Sequence, residues 1–179
     1  MTSQKLIAGS AFPGIVVPQL GGGDLTLGAP QAGRDWQLVA VYRGKHCPMC
    51  TAYLQELNTR LPEFHALGVD VVAVSADTEV KATDQMALVG PNFPVAYDLS
   101  IEQMHALGLY VSNPRSPQET DRHFAEPGIF VVNSEGAVQI VDISNAPFAR
   151  PGFKTLLGGL RFVRDPGNNY PIRGTHVAA

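Results

Sequence analysis

Leu38-Val39-Ala40-Val41-Tyr42-Arg43-Gly44-Lys45-His46-Cys47-Pro48-Met49-Cys50-Thr51 reads as a strand that runs through a dithiol into a helix. The run Leu38 to Tyr42 is apolar on both faces, as a buried strand is. From Cys50 onward the apolar residues Cys50, Leu54, Leu57, Leu61 and Phe64 recur at steps of four and three, which lays them along one helix face. Cys47 therefore sits at the helix entry and Cys50 begins the inward face. Two thiols across one helical turn can close a disulfide without unfolding anything, and the unpaired N–H groups of a helix N-terminus stabilise a thiolate. On this reading Cys47 is the nucleophile and Cys50 resolves the mixed disulfide from inside. Pro48 suits the first helical position, where a missing N–H costs nothing. His46, when protonated, would place a positive charge beside the sulfur and lower a thiol pKa that is ordinarily ~8.5.

Outward from this stretch, Val69 to Val74 is a nearly continuous β-branched run expected of a central strand. Further strands are expected at Phe93 to Tyr97, Ile129 to Val132 and Val138 to Val141, the last two turning at Asn133-Ser134-Glu135-Gly136. Helices are expected from Thr78 to Val89, stopped by Gly90-Pro91, from the Ser100/Gln103 capping box to Leu107, and from about Pro151 to Val163. Pro62 should kink or restart the first helix, and Gly68 should end it. Ile15 to Leu20 and Asp24 to Leu27, around Gly21-Gly22-Gly23, form an N-terminal hairpin in which Pro18 marks an edge strand. Tyr110 to Pro127 has no period and reads as a long loop; 165–179 reads as an extended tail. Strands alternating with helices and closed by a hairpin and a last helix describe a mixed α/β sheet in one domain, 1–179.

The chain has 179 residues, is 45% apolar and carries a net charge of −3. No basic, aromatic-interleaved patch suggests nucleic acid, and no apolar run reaches membrane-spanning length. Met1 to Leu6 lacks the apolar core of a signal peptide, and two cysteines in one C-x-x-C are no disulfide framework, so a reducing, cytoplasmic setting is expected. His46, His65, His105, His123 and His176 are the histidines that could complete a zinc site, but no second C-x-x-C or His-x-x-x-His accompanies the first. Neither metal nor cofactor is expected.

From about Ser10 to Val163 the chain resembles the redoxin and peroxiredoxin-like branch of the thioredoxin-fold superfamily, the alkyl hydroperoxide reductase and thiol-specific antioxidant family. The resemblance rests on Tyr42-Arg43-Gly44 leading into Cys47-Pro48-Met49-Cys50, Gly68 through Asp77, Phe93 through Asp98, Leu107-Gly108-Leu109, and Pro127 through Val132. It implies a thioredoxin fold, three layers α/β/α about a mixed sheet, with the hairpin as an N-terminal extension. It also implies a cis proline opposite the dithiol, a place taken by Pro127, presenting the backbone of Glu126 to a partner. Arg43, His46, Pro48 and Pro127 are the supporting residues it suggests.

Peroxidases of this family resemble one another in a Pro-x-x-x-Thr/Ser-x-x-Cys signature, aided by a remote Arg that stabilises the peroxide oxygens. With Cys50 on the reactive position, Cys47 falls on the hydroxyl and Arg43 on the proline. Arg122, Arg150 and Arg173 remain as guanidinium sources, and each reads first as a surface residue. The implied activity is thiol–disulfide exchange through Cys47 and Cys50, with disulfides and peroxides as oxidants and thioredoxin or glutathione as reductant. The alternatives are a dedicated thiol peroxidase and a non-catalytic redox sensor or metal-binding module. Glu63, Asp77 or a water is left as proton acceptor, and redoxin relatives suggest a homodimer.

Overall fold

In a computed structural model that describes residues 5–176, the chain opens with a hairpin of Val16–Pro18 (β1) and Asp24–Thr26 (β2). Residues 1–4, part of the stretch read for a leader, and 177–179 of the tail lie outside the described residues. Val17 pairs with Leu25, and both are buried. Pro18 has no N–H to give, and only its carbonyl is used, accepting from the N–H of Tyr97 at 3.1 Å.

Trp36–Val41 (β3) leads into Pro48–Ala66 (α1), then Val69–Val74 (β4), Glu79–Val89 (α2), Val95–Ala96 (β5) and Ile101–Ala106 (α3). Val111–Ser112 (β6) and Phe124–Ala125 (β7) pair with each other, and Gly128–Val132 (β8), Val138–Ile143 (β9) and Phe153–Arg164 (α4) follow. The main sheet has the order β5-β4-β3-β8-β9, with β5, β4 and β3 parallel and β8 and β9 antiparallel. This is the mixed α/β sheet expected, and the stretch read as a loop between Tyr110 and Pro127 contains the small β6–β7 pair. β6 and β7 are two residues each, too short for a periodic signal.

The alternation of side chains divides the core between the two faces of the sheet. Leu38, Ala40 and Tyr42 point to one face with Cys50, Leu54, Leu57 and Phe64 of α1, Met86 of α2, and Phe153 and Leu157 of α4. Val39 and Val41 point to the other, with Val17, Leu25 and Leu27 of the hairpin region and Met104 and Leu107 around α3. Thr78, read as the first residue of α2, is its N-cap; Gly90 ends the helix in the left-handed region, and Ser100 with Gln103 forms the expected capping box on α3.

α1 does not restart at Pro62 but continues through it. Pro62 lies on the exposed face, so the carbonyl it leaves unpaired can meet water, while Leu57, Leu61 and Phe64 on the opposite face hold the helix to the sheet. The tail does not simply extend: Pro166–Asn168 forms one turn of 3-10 helix, and Tyr170 packs edge-on to Phe162 at 5.4 Å.

Candidate active site

Cys47 is the N-cap residue of α1, in extended conformation, with Pro48 at the first helical position. Its Sγ accepts the N–H of Cys50 at 3.2 Å, and its carbonyl accepts from Cys50 and Thr51. A sulfur therefore does the capping that a Ser or Thr oxygen ordinarily does. No acidic residue stands in the first turn of α1, so the positive end of the helix dipole acts on this sulfur uncompensated. Cys47 and Cys50 are joined in a disulfide, with Cα atoms 5.3 Å apart and residue exposures of 3% and 0%. Between them Met49 projects into solvent.

Arg43 leaves β3 and lies over the ring of Phe124, its guanidinium carbon 4.7 Å from the ring centroid, with Glu126 3.5 Å and Glu119 3.7 Å away. Glu119 is tied in turn to Arg115 at 3.0 Å. The ring of His46 packs on Phe124 at 4.5 Å between centroids, and its two nitrogens are buried without hydrogen-bond partners. Burial first, and the charge of Arg43 second, push the imidazole pKa down. His46 is thus neutral at neutral pH, and the positive charge it would lend Cys47 when protonated is absent there.

Asp77, at the end of the segment after β4, is the carboxylate that the fold brings to the dithiol turn. It is buried, accepts the N–H of Lys45 at 2.6 Å, and has its pKa raised mainly by desolvation. Glu63 instead stands partly exposed near the far end of α1, paired with Arg60 and Arg161. Thirteen residues of helix separate it from Cys50, roughly 20 Å. Gly44 takes φ +125, and a Cβ there would lie 2.6–2.8 Å from the Asp77 carboxylate, so glycine alone fits between. Tyr42 and Phe124 are core residues, and Trp36 is half-buried beneath Arg164.

The three remote arginines part company. Arg122 is spent on Asp98, Asp121 and the carbonyl of Ala76, and Arg173 lies over Tyr170 in the tail. Arg150 is not the surface residue expected. It stacks 4.0 Å over Tyr53 and donates to the carbonyl of Met49 at 3.2 Å, reaching the dithiol turn from 101 residues away. With Met49, Tyr53, Pro147 and Phe148 it lines a cleft of about 300 Å³. No periodicity in the sequence could have announced this, because the contact depends on how the loop after β9 folds back over α1.

Pro127 heads β8, at the end of the sheet where Gly128 stands in register with Val41, just before the dithiol loop. The expected cis bond is not there: among the described residues every peptide bond is trans. Pairing with residues distant in the chain holds this segment. The Glu126 N–H donates to the carbonyl of Tyr110 at 2.8 Å, continuing the β6–β7 pairing, and the Pro127 carbonyl accepts from Ser144 at 3.0 Å. The chain thus stays extended from β7 into β8, as a trans bond allows. Among the described residues no three His, Cys, Asp or Glu side chains cluster as metal ligands.

The model of the AhpC/TSA family matches residues 8–141, about three quarters of the chain. The chain belongs to the AhpC/TSA family. It is 27% identical over 149 residues to the Synechocystis protein sll0755, whose name places it among the peroxiredoxins; the match covers 73% of this chain and 70% of that protein. Among solved structures, a mutant of peroxiredoxin 6 of Arenicola marina superposes with a TM-score of 0.74 at 19% identity, covering 90% of this chain and 75% of its own. Peroxidoxin BcpB from Mycobacterium tuberculosis does so with a TM-score of 0.72 at 17% identity, covering 89% and 99%. At such identities the structures speak for the fold, the thioredoxin fold of peroxiredoxins. Membership of the AhpC/TSA family makes this chain a thiol-dependent oxidoreductase. No helix among the described residues is long and apolar enough to cross a membrane.

Proposed function

We propose that the enzyme works chiefly by thiol–disulfide exchange, with Cys47 as nucleophile and Cys50 as resolving thiol. The observation that carries this is the pairing of the two sulfurs within the first turn of α1, where the family's signature would have a hydroxyl in place of Cys47. The Cys47 thiolate, favoured by the helix N-terminus, attacks a substrate disulfide; the Cys50 thiolate then attacks Cys47 Sγ, releasing the second substrate thiol. A reductant of the thioredoxin or glutathione type reverses the cycle. A cytoplasmic setting and a homodimer belong to the same proposal. Pro48 keeps the turn rigid, Arg43 anchors it through Phe124 and the two glutamates, and Pro127 closes the same end of the sheet.

A second reading has one specific support. Arg150 brings a guanidinium to the dithiol turn, where a peroxidase would use a positive charge on the breaking O–O bond. The test mixes reduced protein with equimolar hydrogen peroxide, or with a small disulfide, and counts free thiols with time. Rapid loss of both thiols to the disulfide, with slow loss to peroxide, supports exchange. Loss to peroxide within about a second, faster than an unactivated thiolate allows, makes peroxide the substrate instead.

A further inference from the structure

We propose that the cleft between α1 and the loop before α4 is a substrate subsite, in which Arg150 binds a carboxylate carried a few atoms from the sulfur of an apolar or aromatic disulfide. The inference rests on the exchange reading above and names the class of disulfide that the site selects.

The cleft, of about 300 Å³, runs along Met49, Ala52, Tyr53 and Glu56 on one side. These residues are spaced three and four apart from Met49, so they share a face of α1 beside the buried face of Cys50, Leu54 and Leu57. Pro147, Phe148, Arg150 and Pro151 form the other wall. That wall is held to the helix by the Tyr53 hydroxyl, which donates to the carbonyl of Pro151 at 2.8 Å. Met49 stands two residues past Cys47, and two residues of chain span at most about 7 Å. A group held at the Met49 end of the cleft is therefore held at the dithiol turn.

The lining is apolar where it meets solvent. Met49 is 48% exposed and Phe148 75% exposed. Single exposed apolar side chains are ordinary, but two that line one cleft beside a redox dithiol offer a surface to an apolar group.

The charge in the cleft is not neutralised. Every other arginine among the described residues lies within 4.0 Å of a carboxylate, except Arg173, which is exposed in the tail. Arg150 is half-buried and has no such partner; Glu56, the acid at the far rim, is exposed and not paired with it. Nε and Nη1 have no hydrogen-bond partner, and Nη2 gives one of its two N–H groups to the Met49 carbonyl at 3.2 Å. The second N–H of Nη2 is the donor assigned to the carboxylate. A cation held partly out of water without a counter-ion is costly, and an incoming carboxylate supplies both the opposite charge and a charge-assisted hydrogen bond. Hydrogen peroxide brings neither a carboxylate nor apolar surface, so the cleft does not select it.

The test follows oxidation of reduced protein by three disulfides: dithiobis(nitrobenzoate), with a carboxylate on each aromatic ring, the uncharged dithiodipyridine, and the cationic cystamine. Each rate is divided by that of the same disulfide with free mercaptoethanol, which removes intrinsic reactivity. Wild type is expected to favour the carboxylate disulfide over the uncharged one by about tenfold, the scale of one hydrogen bond to a charged group, with cystamine slowest. Arg150→Gln, whose amide can still donate to the Met49 carbonyl, is expected to lose that preference. Arg150→Lys, which keeps the charge, is expected to retain most of it. Salt gives a check that needs no variant: the preference should shrink as ionic strength rises from about 0.01 M to about 1 M. Binding is read separately by titrating benzoate into the oxidised protein and following the Met49 methyl resonance, which is expected to shift in wild type and not in Arg150→Gln. Equal normalised rates for the charged and uncharged disulfides in wild type, or an undiminished preference in Arg150→Gln, would overturn the proposal and leave exchange standing. Arg150-dependent benzoate binding in a protein that no disulfide oxidises would support the subsite while sinking the exchange reading.

Discussion

The guanidinium of Arg150 lies 4.0 Å over the ring of Tyr53, and the Tyr53 hydroxyl donates back to the carbonyl of Pro151 at 2.8 Å. One arginine and one tyrosine thereby lock the loop before α4 onto the first two turns of the helix that carries the dithiol. Burial lowers the pKa of Arg150, and two of its nitrogens have no hydrogen-bond partner, so the stacking on Tyr53 is its principal compensation.

Arg150→Ala should therefore destabilise the oxidised protein by about 1–2 kcal/mol, the range for a partly desolvated cation–π contact. Tyr53→Leu should cost a similar amount, and the double variant should cost clearly less than the two together. Urea unfolding of the four proteins measures the coupling; strict additivity would mean the two side chains do not act as a pair.

Cys50→Ser should trap substrate on Cys47. Incubated with an aromatic disulfide, this variant should accumulate a stable mixed disulfide seen by intact-mass spectrometry, because the resolving thiolate is gone. Cys47→Ser should accumulate far less, since Cys50 is fully buried. Equal trapping by both variants would reverse the roles given to the two cysteines.

Gly44→Ala should be among the most damaging small substitutions in the chain. It forces a side chain into φ +125 and drives a Cβ onto the Asp77 carboxylate. A loss of roughly 2–4 kcal/mol is expected from the two effects together. The same change at Gly22, also at positive φ but with open space around it, should cost markedly less. Thermal melts of both variants decide the matter.

Stability should respond to pH in opposite senses at Asp77 and His46. The Asp77 carboxyl binds its proton more tightly folded than unfolded. Its stabilising contribution is full below the unfolded value of about 3.9 and is lost as pH rises through the higher folded value. Asp77→Asn should therefore gain on wild type as pH rises above about 4. His46 binds its proton less tightly folded. Its contribution is present above about 6.5 and is lost as pH falls through the lower folded value, so His46→Phe should lose less stability on acidification. Urea midpoints at acid and neutral pH for each variant check both signs.

The strand, the dithiol and the inward face of α1 are legible in the sequence because they are local: apolar runs, a C-x-x-C, and residues recurring at helical spacing. The same holds for the cap at Ser100, where one side chain answers a backbone group three residues away. Cysteine at an N-cap says by itself which sulfur faces the helix dipole and which faces the core, so that much of the chemistry is determined by neighbours along the chain.

What only the tertiary structure decided are the matters set by residues far apart in the chain. His46 lends a thiol positive charge only when protonated, and packing that removes it from water and sets it beside Arg43 favours the neutral ring. Pro127 looks ready for a cis bond in the sequence, but pairing on both sides of it keeps the chain extended. Arg150 and Asp77 carry no local signal at all, because a charge acquires its role from the dielectric and the partners around it. Those are supplied by the fold as a whole, not by the neighbours in sequence.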